Sequence, residues 1–197
     1  LDVPVLITPR VYADEISSDP VLYYRNLAAA LPRDMPVFHC GSHIVAGPDP
    51  LASGTSLARR HISQRLILWD NVYCNDYCPR RLFAGRHTGR AGIADLMLNG
   101  TGMVETDLLL LCIMQAGDDM AGWRTALADA GVPDAFHMLA PWFDLAVAND
   151  TVPPAPAPAG RQHFDAIETL LWQWKGPLAR EWYPVSYTHL RAHETAM

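Results

Sequence analysis

The sequence predicts an α/β fold built on a parallel sheet, and three observations carry that prediction. Short runs rich in Val, Ile and Leu are apolar at successive positions instead of alternating, which suits strands covered on both faces. Helical or loop stretches separate these runs, the order that parallel strands require. Polar and aromatic residues gather just after the apolar runs, at Tyr12, at 69–76 and at Asn99, where parallel α/β folds build their sites.

The elements follow in order. Residues 3–8 form the first strand-like run, which Pro9 ends. Ser18-Asp19-Pro20 opens a helix, with Asp19 or Ser18 as cap and Pro20 in the first turn, where its missing N–H is no loss. Leu22, Tyr23, Leu27 and Leu31 then fall at helical spacing. Pro32 and Pro36 stop that helix and lead into a second strand at 37–40, and a loop rich in Gly, Pro and Ser fills 41–54. A helix is expected at 57–62, a third strand at 65–69 and a fourth at 94–98, followed by Asn99-Gly100. Residues 105–120 read as one helix that is apolar almost all round. The segment TVPPAPAPAG at 151–160 holds four prolines in ten residues and reads as an extended linker. Residues 162–182 are again helical and contain Trp172, Trp174 and Trp182, read as the packing of a helical region and not as a platform for a ligand.

Composition sets the limits. Of 197 residues 50% are hydrophobic and 18% charged, too apolar for a disordered chain. The longest apolar run, 108–114, is far short of the roughly 18 residues that span a membrane. A net charge of −6 argues against a nucleic-acid surface, which needs a basic face. An eight-fold barrel of strands and helices takes about 250 residues. Four strand-helix units in this length therefore amount to the C-terminal or N-terminal half of a (β/α)8 barrel, and the chain is expected to be a piece of a longer protein. Residues 1–130 are assigned to the barrel half and 131–184 to a helical region that includes the Pro-rich linker. Residues 185–197 show no apolar period and resemble the in-frame translation of a transposase adapter used in sequencing libraries. They are set aside as non-native; removing them takes Arg191 and Glu194 together, so the net charge stays at −6.

The chemistry concentrates in the stretch WDNVYCNDYCPRRLF, residues 69–83, which places Trp69, Asp70, Asn71, Asn75 and Asp76 directly after an apolar strand. Carboxylates accept hydrogen bonds from adjacent hydroxyls, carboxamides both donate and accept, and an indole covers the C–H face of a sugar ring, so the set suits carbohydrate. A capped loop is the alternative reading of the same residues.

This stretch, continued through Gly85 to Gly89-Arg90, is similar to the signature of glycoside hydrolase family 84, the O-GlcNAcases and related β-N-acetylglucosaminidases. Further matches lie at Thr8-Pro-Arg-Val-Tyr12, at Tyr24-Arg-Asn-Leu and Leu31-Pro leading to Phe38-His-Cys-Gly41, and at Leu96-Met-Leu-Asn99, so the resemblance covers about residues 3–110. It identifies the barrel half as the C-terminal one. It implies a substrate pocket in which Asp76, helped by Asn99, binds the 4- and 6-hydroxyls of a terminal N-acetylglucosamine. Asn71 would orient the acetamido group, Tyr12 would bond near its oxygen, and Trp69 would wall the pocket. The partner implied is a glycan or glycoprotein bearing N-acetylglucosamine, with no cofactor and no metal. Retaining hydrolysis in this family uses the substrate's own acetamido oxygen as nucleophile, an exception to a protein nucleophile. The paired Asp residues of that mechanism belong before Leu1, so the chain by itself is expected not to hydrolyse. Two departures stand out: His39-Cys40 where Trp-Thr is usual, which predicts a reshaped pocket wall, and Pro79 in the loop after Cys78.

Other patterns carry less. Asp118-Asp119 is an adjacent pair, but it follows a helix and reads as a solvated helix terminus. Cys74 and Cys78 with His39 and His43 lack the second paired motif of a zinc site. Arg80-Arg81 reads as a surface pair rather than a phosphate site. A non-catalytic module that binds N-acetylglucosamine is the alternative to an enzyme.

Overall fold

A computed structural model describes residues 5–45, 56–76, 82–143 and 160–194. It divides into two units: Leu1–Val72 with Thr88–Asn99 and Ala146–Thr151, and Tyr73–His87 with Gly100–Leu145 and Val152–Met197. The start of the first apolar run, most of the loop before residue 56, the residues Cys78 to Arg81 and the Pro-rich linker lie outside the described residues.

The first unit holds a parallel three-stranded sheet in the order β1 (Val37–His39), β2 (Leu66–Asp70), β3 (Leu96–Leu98). The first apolar run supplies only a parallel bridge, Ile7 beside Val37, on the outer edge of β1. Helix α1 (Pro20–Ala30) connects this edge to β1, and α2 (Leu57–His61) connects β1 to β2. Among the described residues of 71–95 there is no helix. The mixed α/β character and the parallel sheet agree with expectation, while the strands expected at 37–40 and 94–98 are shorter and the one expected at 65–69 is shifted by one residue.

Local chemistry explains the boundaries. Asp19 caps α1 by accepting from the Leu22 N–H at 3.0 Å, and Pro20 takes the first helical position. At the other end, Leu31 is extended ahead of Pro32, as the residue before a proline must usually be. The carbonyls left open there are met by buried Gln64, whose Nε2 donates to the Ala28 and Leu31 oxygens at 3.0 Å. Ser56 caps α2, and Asp14 accepts from the Leu57 N–H at 3.2 Å.

Alternation along the strands separates two faces. Val37, His39, Leu68 and Asp70 are buried; Val37 joins Val11, Tyr24 of α1 and Ala58 of α2, with Ile62 beside them, in one apolar cluster. Phe38, Ile67, Trp69 and all of β3 remain half-buried. Strands apolar at every position predicted cover on both faces, and within this unit helices cover one.

The second unit is helical: α3 (Val104–Ala116), α4 (Met120–Asp129), α5 (Phe136–Phe143), α6 (Arg161–Glu168) running into a π-helical turn at Thr169–Gln173, and α7 (Pro177–Glu194). The single helix expected at 105–120 is broken. Gly117 takes a positive φ of 58° and closes α3 with bonds to the Ile113 and Met114 carbonyls. Asp119 then caps α4, accepting from the Ala121 and Gly122 N–H groups at 3.0 Å. The Asp118-Asp119 pair thus marks a helix terminus, as expected. The 162–182 segment is likewise interrupted, at Gly176 with φ of 137°.

The core of this unit forms around Leu109, Leu110, Ile113, Leu127, Phe136 and Trp182. Helix α3 has no cap of its own; Glu181 of α7 supplies one, accepting from the Glu105 and Thr106 N–H groups at 3.1 and 2.8 Å. The carboxylate at a helix N-terminus also complements the dipole. Next to it, the Trp182 indole donates to the Thr106 hydroxyl at 3.0 Å, 5.1 Å from the Phe136 ring and 5.5 Å from Trp174. Trp172 is exposed. Helix α7 continues to Glu194, with Val185 and Ser186 buried, so the stretch set aside from 185 is helical as far as 194. Trp182→Ala is expected to cost about 3–5 kcal/mol, against about 0.5 kcal/mol for Trp172→Ala, read from denaturant midpoints.

Candidate functional site

The site is built where the strands of the first unit end. After the bridge at Ile7 the chain turns beside the segment that leaves β1: Cys40 N–H donates to the Tyr12 carbonyl at 2.6 Å, Asp14 N–H to Gly41 at 3.1 Å and Glu15 N–H to Ser42 at 3.1 Å. This seats the Tyr12 ring 5.4 Å from Trp69, while Phe38 meets Trp69 edge-on at 6.2 Å. The Trp69 indole N–H is buried and has no partner among the described residues. A desolvated donor of this kind costs about 1–3 kcal/mol if left unmet.

Two residues further on, Asn71 is buried and held from two sides. Its Nδ2 donates to the Ile44 carbonyl at 2.9 Å and to Cys40 Sγ at 3.3 Å, and its Oδ1 accepts from Asn99 Nδ2 at 3.1 Å. Asn99 reaches this position because its N–H extends the β2–β3 ladder by bonding the Asp70 carbonyl at 2.9 Å. Tyr12 and Trp69 are therefore brought together, as are Asn71 and Asn99. Asp76 is exposed and belongs to the second unit, as does buried Asn75.

Asp70 differs from the carbohydrate reading of its cluster. It faces the opposite side of β2 from Trp69, fully buried, and Arg90 grips it with Nε–Oδ2 at 2.8 Å and Nη2–Oδ1 at 2.9 Å. The Val72 N–H donates to the same carboxylate at 3.1 Å, and Arg90 Nη1 donates to the Thr88 carbonyl at 2.7 Å. Asp70 is a latch for the chain leaving β2. Arg90 received no role from the sequence; its one signal was the Gly89-Arg90 step at the end of the signature.

His39 also corrects an expectation. Of the His39-Cys40 departure, His39 does not face the site, because its side chain lies on the helix-covered face, 2% exposed, whereas Cys40 Sγ meets Asn71. His39 Nδ1 accepts the Gly41 N–H at 2.9 Å, which leaves the ring proton on Nε2, 2.9 Å from the Tyr24 hydroxyl and 3.6 Å from Asp14. The Tyr24 hydroxyl donates on to Asp14 Oδ1 at 2.9 Å. Burial raises the Tyr24 pKa above its ordinary value, reinforced by the neighbouring Asp14 charge. Burial also works against the Asp14 carboxylate, but the His39 and Tyr24 contacts and the Leu57 N–H outweigh it and hold the pKa below 3.8. Among the other cysteines, Cys74 is buried and Cys112 is an exposed free thiol.

Two outcomes follow from these contacts. Arg90→Ala leaves a buried carboxylate without its guanidinium partner and is expected to cost about 3–5 kcal/mol in denaturant unfolding, with Arg90→Lys recovering little because Lys cannot bond bidentately. A lowered carboxyl pKa stabilises the folded state above the unfolded value, and this contribution disappears as pH falls through the folded one. Asp14→Asn should therefore lose stability at neutral pH and show a shallower decline than the parent chain below pH 3.8, measured as melting temperature against pH.

The chain can now be set beside known proteins. Residues 2–104, just over half of it, match the family model described as beta-N-acetylglucosaminidase. No curated protein matches it by sequence. Its fold is similar to that of an O-GlcNAc hydrolase from Thermobaculum terrenum, solved as a point mutant, with a TM-score of 0.67 at 16% identity. The similarity covers 97% of this chain and 49% of that one, so the chain spans about half the length of the solved structure. The matched span contains Tyr12, Trp69, Asn71, Asp76 and Asn99 together with the Asp70–Arg90 latch, and on that match the chain belongs to the β-N-acetylglucosaminidase family.

Proposed function

We propose that this chain is the C-terminal half of the (β/α)8 barrel of a retaining glycoside hydrolase that removes terminal N-acetylglucosamine. The observation that carries the reading is the pair of strand-end carboxamides, Asn71 and Asn99, bonded to each other on strands whose ends also carry the Tyr12–Trp69 ring pair. Carboxamides supply directional donors and acceptors, and the rings supply an apolar wall, the combination that an acetamido sugar requires. In this reading Tyr12 and Asn71 serve the acetamido group, Trp69 walls its pocket, and Asp76 with Asn99 takes the 4- and 6-hydroxyls.

The carboxylates at the described strand ends of the first unit are engaged elsewhere. Asp70 is latched to Arg90, Asp14 is bonded to Tyr24 and the Leu57 N–H, and Glu15 is bonded to Ile44. This supports an acid/base pair supplied by the other barrel half, with the acetamido oxygen as internal nucleophile and an oxazoline intermediate. The half-buried face of Phe38, Ile67 and Trp69 supports the same division, because a closed barrel would cover it. Residues 131–184 form the helical region after the barrel, and 185–197 are an adapter-derived tail.

The test combines two measurements. In the intact parent, Asp76→Ala should lower turnover of a chromogenic N-acetylglucosaminide about tenfold or more, the loss of hydrogen bonds to a charged group. Asp118→Ala should leave turnover unchanged. Full activity in the Asp76 variant counts against its role, and a parent that binds N-acetylglucosamine without cleaving the substrate points to a binding module instead.

A further inference from the structure

Asn71 meets a ligand with most of its carboxamide already committed. The Ile44 carbonyl can only accept, so the atom 2.9 Å from it is Nδ2 and the orientation of the amide is determined. The second Nδ2 hydrogen is directed to Cys40 Sγ, and Asn99 fills one lone pair of Oδ1. Among the described residues, one acceptor lone pair of Oδ1 remains. A partner at that point must donate a hydrogen.

The aim of that lone pair depends on Ile44, which lies in a loop and not in a strand. Glu15 holds this loop at three successive residues. Its N–H donates to the Ser42 carbonyl at 3.1 Å, its Oε2 meets His43 Nδ1 at 3.0 Å, and its Oε1 accepts the Ile44 N–H at 2.6 Å. Residue 44 is thus gripped through its N–H by Glu15 and used through its carbonyl by Asn71.

We propose that Glu15 is a positioning residue that, through Ile44, holds Asn71 as a hydrogen-bond acceptor toward a donor group of the substrate. The substrate half of this statement rests on the N-acetylglucosamine reading above; the Glu15–Ile44–Asn71 half does not. Glu15 is placed to act through the loop, and its side chain is 20% exposed, so it can be replaced without opening the core.

The experiment is NMR of the 197-residue chain, following the side-chain amide of Asn71. In Glu15→Ala, hydrogen exchange at Asn71 Nδ2 should accelerate about tenfold and its signal should move, with the circular dichroism spectrum unchanged. Glu15→Gln retains an oxygen able to accept the Ile44 N–H and should restore the parent signal. An Asn71 signal identical in Glu15→Ala and the parent overturns the proposal, and so does a Glu15→Gln signal displaced from the parent. Adding N-acetylglucosamine to the intact parent protein, in which both barrel halves are present, should shift the Asn71 signal. If it does not while the Glu15 comparison comes out as expected, the substrate half falls and the positioning half stands.

Discussion

The buried contact between Asp70 and Arg90 is the constraint on which the rest of the site depends. It sits at the end of β2, the central strand of the described sheet. Two charges in so dry a place are costly to desolvate, and a bidentate fork with further bonds from Val72 and to Thr88 is the geometry that offsets this. The payoff is positional. The Asp70 carbonyl receives the Asn99 N–H, and the next residue is Asn71. An error in the path of the chain at Asp70 would therefore displace both carboxamides together.

A second support lies behind the strand that precedes it. Asp14, Tyr24 and His39 form a chain of hydrogen bonds within the covered face, and His39 passes it to the Gly41 backbone. Glu15, the neighbour of Asp14, ties down the loop that follows. Adjacent carboxylates at a strand end invite a catalytic interpretation, yet here their bonds run to the backbone and to buried partners. Their chemistry is that of holding loops, which a precise site needs as much as it needs groups that touch a ligand.

The two faces of the sheet express how the chain relates to its family. One face is packed under α1 and α2 with side chains almost wholly removed from water. The other, with Phe38, Ile67 and Trp69, is half-buried, and the Trp69 indole N–H has no partner among the described residues. In the proposed function, that face is the one a barrel would turn inward.

Much of this was legible in one dimension. The parallel α/β character, the start of α1 at Asp19-Pro20, the strand ends with Tyr12, Trp69, Asn71 and Asn99, and the terminus at Asp118-Asp119 follow from local rules that act within a few residues: strand burial, capping and proline geometry. The family resemblance added an order of motifs that the match over residues 2–104 supports. What the sequence alone could not reveal depends on contacts far apart in the chain. Asp70 stood in a cluster suited to carbohydrate, yet Arg90, twenty residues later, grips it. His39 looked like a pocket wall until strand alternation turned it toward Tyr24, and the helix at 105–120 looked continuous until Gly117 took a positive φ. Residue type and local spacing decided which chemistry was present; only the tertiary structure decided which groups are free to use it, because hydrogen-bond partners are allotted in space and not along the chain.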